Sequence, residues 1–185
     1  LQAMVFGNLG PNSATGVVFS RDPRSGQKGL YGEFLLEAQG DDLVSGGFTP
    51  RPIAELAPLL PDAYAQLDLA VQQLEQDLGD LQDVEFTIER GRLFLLQTRA
   101  GKRSARAMVK VACDLVREGR VSQEEAIRRC EPKRFAELLL PTVDPKTSAP
   151  TIARGLPASP GAATGPVVFT AQDAVEQRRK GIGCI

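Results

Sequence analysis

Polar and apolar residues alternate strictly over residues 83–89, and after Gly91 an apolar run returns. Strict alternation is typical of a half-buried strand, and a glycine between two such segments predicts a β-hairpin. One hairpin face would be apolar. The other would carry two carboxylates, an amide and a guanidinium, those of Asp83, Glu85, Gln97 and Arg99. Carboxylate and amide oxygens bind Mg²⁺ and a guanidinium binds phosphate, so this face suits a magnesium nucleotide, although an amphipathic hairpin with a solvated polar face is the plain alternative.

The turn at Gly91 decides whether the four groups meet. A two-residue turn would pair Glu89 with Arg92 and leave the carboxylates and the Gln97 and Arg99 side chains on opposite faces. A type I turn with Gly91 as a left-handed bulge residue shifts the pairing by one, and a shift of one flips every side chain. We predict the bulged register, in which Gly91 has a positive φ. It pairs Asp83 with Gln97 and Glu85 with Leu95, and buries Val84, Phe86, Ile88, Phe94 and Leu96.

The rest of residues 1–100 reads as sheet with one helix. Strands are predicted at Gly16–Arg21 and Leu30–Leu36, followed by a glycine-rich loop over residues 39–47. Apolar residues repeat three and four apart over Pro61–Leu78, which predicts a core-facing helix. Arg21 is predicted in a strand-end salt bridge rather than on phosphate. The direction of the Glu33 side chain is left open, between the cleft and an exposed edge.

Residues 101–150 predict a helical linker that packs weakly on the sheet. Ser104–Glu118 is amphipathic, a Ser122/Glu125 capping box opens a second helix through Cys130, and a third is expected at Arg134–Leu140. The prolines of Thr142–Pro150 predict a mobile stretch. Residues 151–185 predict a further domain with three elements, a turn at Ser159–Gly165, a strand at Pro166–Thr170 and a helix at Ala171–Lys180. The fold class is therefore α+β.

The chain resembles the pyruvate, phosphate dikinase family of phosphoenolpyruvate-utilising enzymes from end to end. Three blocks carry the resemblance. They are residues 4–23, which include MVFGNLG and TGVVFSRDP, the hairpin block 82–103, which ends in QTRAGKR, and GLPASPGAATG at residues 155–165.

The resemblance implies three regions. Residues 1–100 would be the C-terminal part of an ATP-grasp nucleotide-binding domain, residues 101–150 a helical linker, and residues 151–185 the start of a phosphohistidine swivelling domain. Asp83, Glu85, Gln97 and Arg99 would bind ATP, with Mg²⁺ held by Asp83, Glu85 and Gln97. The chain contains no histidine, so no catalytic residue is expected in it and the phosphohistidine would lie beyond Ile185.

The parent enzyme implied by the resemblance is a phosphotransferase that interconverts ATP, phosphate and pyruvate with AMP, pyrophosphate and phosphoenolpyruvate. The chain is expected to be an inactive internal fragment of it, with ATP or AMP, phosphate and the rest of the parent chain as partners. A cytoplasmic location is expected, and a homodimer formed through a C-terminal domain outside this chain. A phosphoenolpyruvate synthase-like fragment and a non-catalytic nucleotide-binding or interaction module are the alternatives.

The composition argues against nucleic acid or a membrane as a partner. There are 22 basic and 23 acidic residues and a net charge of −1, which provides no field to attract nucleic acid or an anionic membrane. No apolar run reaches the length of a membrane span. The three cysteines, Cys113, Cys130 and Cys184, lack metal-binding spacing and read as free thiols of a reducing compartment.

Overall fold

A computed structural model describes residues 4–45, 47–144, 146–153 and 161–185. The chain forms two compact units, residues 1–131 and residues 132–185. The part of the chain described contains no helix long and apolar enough to cross a membrane.

The first unit is built on one antiparallel sheet of five strands in the order β3-β2-β1-β4-β5. The strands are β1 (Ala14–Arg21), β2 (Lys28–Leu36), β3 (Arg51–Pro52), β4 (Gln82–Glu89) and β5 (Arg92–Ala100). Because β1 pairs with both β2 and β4, the predicted hairpin of β4 and β5 lies at one side of the sheet. The α+β class is confirmed, and both early strands lie where the sequence predicted them.

The first unit contains five α-helices in its described part. They are α1 (Gly40–Val44), α2 (Leu56–Leu59, preceded by a 3₁₀ turn at Ile53–Glu55), α3 (Pro61–Leu78), α4 (Ala105–Arg117) and α5 (Gln123–Arg129). The bounds of α3 are those predicted. Fully buried Val84 and Phe86 of the sheet pack in one core with Leu67 and Val71 of α3. Burial of each such side chain stabilises the fold by roughly 1.5–3 kcal/mol.

Helix α4 is an integral part of the first unit, and the expectation of weak packing is wrong for it. Its N-cap is Ser104, whose Oγ accepts a hydrogen bond from the Ala107 N–H (3.1 Å). Val111 and Leu115 are buried against Leu81, the residue that precedes β4. The predicted boundary lies after residue 100, whereas the compact unit extends to residue 131, because the apolar face of α4 forms a second buried cluster with Leu81. The functional division into three regions stays a prediction.

Helix α5 begins as predicted, but only half of its capping box forms. Ser122 Oγ accepts from the Glu125 N–H (3.1 Å), whereas the Glu125 side chain pairs with Arg129 at 2.8 Å.

The second unit is mainly irregular where it is described. It contains a 3₁₀ turn at Pro132–Arg134, α6 (Phe135–Leu138) and α7 (Ala171–Arg179), which is capped by Thr170. The strand predicted at Pro166–Thr170 does not form. Its only described pairing is with Ile185, whose N–H donates to the Pro166 carbonyl (3.0 Å) and whose carbonyl accepts from Val168 (2.8 Å), and a strand needs a longer ladder. The turn predicted at Ser159–Gly165 lies partly outside the described residues, and the mobility of Thr142–Pro150 stays a prediction.

Candidate functional site

The hairpin closes with the two-residue turn, so the register predicted at the turn is wrong. Glu89 pairs with Arg92, and Arg90 and Gly91 have φ angles of 50° and 82°. The positive φ of Gly91 is confirmed, but Arg90 also adopts the left-handed conformation that a type I′ turn requires. Residues that precede β1 stabilise the turn. The Arg90 N–H donates to Ser13 Oγ (3.0 Å), and the Gly91 N–H donates to the Asn12 carbonyl (2.7 Å).

A β-bulge further along β5 brings the four predicted side chains together after all. Phe86 pairs with Leu95, whereas Glu85 pairs with Gln97, so Leu96 is an extra residue without a partner on β4. One extra residue reverses the alternation of the strand beyond it. Consequently the carboxylates of β4 and the amide and guanidinium of β5 share one face, with Asp83 opposite Arg99. We call Asp83, Glu85, Gln97 and Arg99 the polar quartet.

The bulge also changes what lies behind the polar quartet. Val84, Phe86 and Ile88 are fully buried, as predicted. Phe94 pairs with Thr87, so it lies on the same sheet face as the polar quartet, and Leu96 is 46% exposed. The prediction that Phe94 and Leu96 are buried behind the hairpin is wrong. The two-residue turn shifts the pairing of β5 by one residue from the predicted register, so its side chains point to the opposite faces.

Asp83 is the buried centre of the polar quartet. It is only 6% exposed, and its Oδ2 accepts a hydrogen bond from Arg99 Nε at 2.8 Å. Its Oδ1 is also buried but has no hydrogen-bond partner among the described residues. A buried acceptor without a partner costs roughly 1–3 kcal/mol, more for a charged group, so this oxygen is a natural position for a ligand.

Arg99 presents most of its guanidinium to solvent. Its side chain is 60% exposed, and of its nitrogens only Nε takes part in a described hydrogen bond. The hydrogen bond to Asp83 and the charge of that carboxylate raise the pKa of Arg99, and burial opposes this weakly while the charge of Glu85 adds to it. The guanidinium is therefore permanently charged, with its Nη groups free for an anion.

A row of side chains extends from the polar quartet across the sheet. Glu85 pairs with Val17, and Val17 pairs with Glu33 of β2, so the three residues lie side by side. Val17 and Glu33 also line an open pocket of about 530 Å³ together with Phe19, Tyr31, Gly32, Pro50 and Pro52. The sequence left the direction of Glu33 open. The pairing register, which sequence alone does not show, places it on the same face as the polar quartet.

The residues present fit a magnesium ion that is shared with a ligand. The polar quartet offers two carboxylates and one amide oxygen, with the unpartnered Asp83 Oδ1 among them. Within the described ranges, no three His, Cys, Asp or Glu side chains cluster in a way that could hold a metal by themselves. Mg²⁺ commonly takes one or two protein carboxylates and completes its shell with phosphate oxygens and water.

Arg21, in contrast, is structural, as predicted. Its guanidinium is fully buried and contacts Glu75 of α3 (2.8 Å), Asp114 of α4 (3.3 Å) and Glu118 (3.1 Å). Burial lowers its pKa, but the hydrogen bond and charge of Glu75, aided by Glu118, raise it further. This network joins β1 to two helices and surrounds the guanidinium with three carboxylates, which repel a phosphate. Cys113, Cys130 and Cys184 are free thiols.

Comparison with known proteins gives consistent results. The family described as pyruvate phosphate dikinase, AMP/ATP-binding domain, matches residues 51–120, which include the whole polar quartet. Pyruvate, phosphate dikinase of Rhizobium meliloti is 49% identical over 98% of this chain and 22% of its own length. The dikinase of Clostridium symbiosum is 52% identical over 98% of this chain and 21% of its own length. Chloroplastic dikinase 1 of Arabidopsis thaliana is 48% identical over 94% of this chain and 18% of its own length. The chain thus spans about a fifth of the length of these relatives.

Proposed function

This chain belongs to the pyruvate, phosphate dikinase family, and we propose that it supplies one wall of the Mg·ATP site of a dikinase. The observation that supports this most is the polar quartet, in which a buried carboxylate oxygen that no described residue contacts lies beside a positioned guanidinium. The first feature suits a cation and the second suits the phosphates that the cation accompanies.

Each member of the polar quartet has a distinct part in this proposal. Asp83, Glu85 and Gln97 would hold Mg²⁺ through oxygen atoms, and Arg99 would bind phosphate oxygens through its free Nη groups. The bound ion would supply neutralisation of the triphosphate charge. Fixed charges and dipoles of this kind stabilise a phosphoryl group that is being transferred without reorganising at the moment of reaction.

The pocket beside the polar quartet is suited to the rest of the nucleotide. Its walls combine apolar and aromatic side chains, among them Val17, Phe19 and Tyr31, with the single carboxylate of Glu33. A largely apolar surface with few polar groups is typical of small-molecule sites. The polar quartet and the pocket lie on one sheet face of the first unit, and this face would form one wall of an ATP-grasp cleft.

The activity of the whole enzyme is part of the proposal. It would interconvert ATP, phosphate and pyruvate with AMP, pyrophosphate and phosphoenolpyruvate through a phosphohistidine that this chain, which has no histidine, does not contain. The relatives described above are all dikinases, so the phosphoenolpyruvate synthase alternative is not favoured. A cytoplasmic location and a homodimer formed through another region complete the proposal.

Paramagnetic broadening tests the site directly. Mn²⁺ would be added to the isotopically labelled chain with ATP at millimolar concentration, and amide signals would be followed by NMR. We expect broadening centred on residues 83–85 and 97–99 that is weakened by Glu85→Gln and kept by Arg92→Met, a control on β5 away from the polar quartet. Broadening that is uniform over the surface, or that Glu85→Gln leaves unchanged, would contradict the proposal.

A further inference from the structure

We infer that Asp83 is a positioning residue for Arg99 as well as a cation ligand, with one carboxylate oxygen assigned to each task. The inference rests on the proposed function and extends it by a division of labour within a single side chain. Oδ2 accepts a hydrogen bond from Arg99 Nε at 2.8 Å, while Oδ1 is buried and has no partner in the described part of the chain.

The contact through Nε determines what the rest of the guanidinium does. When both Nη groups of a guanidinium bind a carboxylate, few N–H donors remain for a second anion. When the guanidinium binds through Nε, both Nη groups remain available to another anion. Arg99 is 60% exposed and Asp83 only 6%. The buried, rigid partner therefore orients the exposed, flexible one, and the Nη groups are directed at the ligand without loss of rotamer freedom on binding.

This arrangement couples the two parts of a metal–phosphate ligand. A cation on Oδ1 and an anion on the Nη groups are bridged by one carboxylate, so each binds to a site that the same residue has organised. Coupling of this type is reciprocal, so each ligand strengthens the binding of the other by the same factor.

The direction in which anion binding changes when Asp83 is replaced distinguishes a positioning role from a purely electrostatic one. If Asp83 were only a cation ligand, removal of its negative charge would leave the binding of a metal-free anion unchanged or strengthen it. If Asp83 positions Arg99, removal of its side chain weakens anion binding even though a repelling charge is lost. Asparagine offers a third case, because its amide oxygen can still accept from Arg99 Nε while the charge that holds a cation is gone.

Three variants of the 185-residue chain test the inference with two separate probes, inorganic triphosphate in the presence of EDTA and Mn²⁺ in the presence of saturating triphosphate. Asp83→Ala is expected to weaken triphosphate binding about tenfold and to abolish Mn²⁺ binding at this site. Asp83→Asn is expected to lose Mn²⁺ but to bind triphosphate at least as well as the wild type. Glu85→Gln, the matched control for charge, is expected to weaken Mn²⁺ binding and not triphosphate binding.

The outcomes separate the inference from the proposed function. Triphosphate binding by Asp83→Ala that equals or exceeds that of the wild type would overturn the positioning role and leave the cation site in place. Equal losses of triphosphate affinity in Asp83→Ala and Asp83→Asn would also overturn the positioning role, since the asparagine variant is expected to retain anion binding. Failure of the wild-type chain to bind either probe at the polar quartet would overturn the proposed function and this inference with it. Circular dichroism of each variant shows whether the fold is retained.

Discussion

Glu85 lies directly opposite Gln97 in the β4–β5 hairpin, although the turn that closes the hairpin would by itself place these two side chains on opposite faces. The extra residue Leu96 removes the conflict. The site therefore depends on a backbone irregularity in addition to the identity of its side chains, and β-bulges frequently redirect side chains next to functional sites.

Insertion of one alanine after Leu96 should disconnect the two halves of the polar quartet. With this second extra residue in β5, Gln97 and Arg99 face away from Glu85, because a shift of one residue reverses the alternation. We expect the Mn²⁺-dependent broadening with ATP to disappear. Leu96→Ala, which keeps the residue count and removes a half-exposed side chain, should keep the broadening and change stability by about 1 kcal/mol at most. An insertion variant that keeps both a folded hairpin and the broadening would show that the register of β5 is irrelevant to the site.

Loss of the buried Arg21 should be strongly destabilising. The Arg21→Met variant would leave Glu75, itself 2% exposed, without its 2.8 Å partner and with only the longer contact to Arg120 (3.2 Å) among the described residues. Removal of one member of a buried ion pair costs about 3–5 kcal/mol. Urea unfolding measures the effect, with Arg24→Ala, an exposed arginine three residues away, as the control expected to stay within about 0.5 kcal/mol of the wild type. Similar losses in both variants would rule out a special role for the network.

The Asp80–Arg103 pair predicts a specific acid dependence of stability. Burial raises the pKa of Asp80, but the hydrogen bonds (2.6 and 2.5 Å) and charge of Arg103 outweigh it, so the pKa lies below its ordinary value of 3.8. A carboxyl whose pKa is lower in the folded than in the unfolded state stabilises the fold fully above its unfolded pKa. That contribution is lost as the pH falls through the folded pKa.

We therefore expect Asp80→Asn to reduce the free energy of unfolding by roughly 1–2 kcal/mol near neutral pH, with the difference from the wild type shrinking below about pH 4. Urea unfolding at several pH values is the measurement. Asp77→Asn, an exposed change on α3 whose amide can still accept from Gln73, is the control. A difference that persists unchanged into strong acid would mean that Asp80 acts through packing and not through its charge.

The isolated chain should bind Mg·ATP only weakly and should accept no phosphoryl group. Small-molecule sites bury most of their ligand between walls, and the first unit presents one open sheet face. The chain has no histidine to be phosphorylated. Calorimetric titration with Mg·ATP should give a dissociation constant well above the micromolar range, and radiolabelled ATP should leave no acid-labile label on the chain. Stoichiometric labelling would overturn the phosphohistidine mechanism.

The sequence predicted most of the elements but not the means by which the site is assembled. Strict alternation identified β4, and apolar spacing identified α3 with its observed bounds. The turn was predicted wrongly because a left-handed Arg90 is intrinsically unfavourable. The structure tolerates it since a type I′ turn matches the twist of the strands and Ser13 binds its N–H.

The bulge could not be predicted for a different reason. It falls in the continuous apolar run around Leu95 and Leu96, where no alternation exists that could reveal a change of phase. The position of Glu33 beside the polar quartet likewise depends on pairing between β1 and β2, which are separate segments of the chain. Long-range register is set by tertiary packing, so local pattern alone leaves it open.

We propose that the polar quartet serves the nucleotide reaction and not the fold. A chimera can test it, in which this chain replaces the segment of the Clostridium symbiosum dikinase that it matches. The two half-reactions are then assayed separately, phosphorylation of the enzyme by ATP and phosphate, and phosphoryl exchange between the enzyme and pyruvate. We predict that Glu85→Gln and Arg99→Ala each slow the ATP half-reaction by about 10²-fold or more and leave the pyruvate half-reaction intact. Equal damage to both half-reactions would contradict the account.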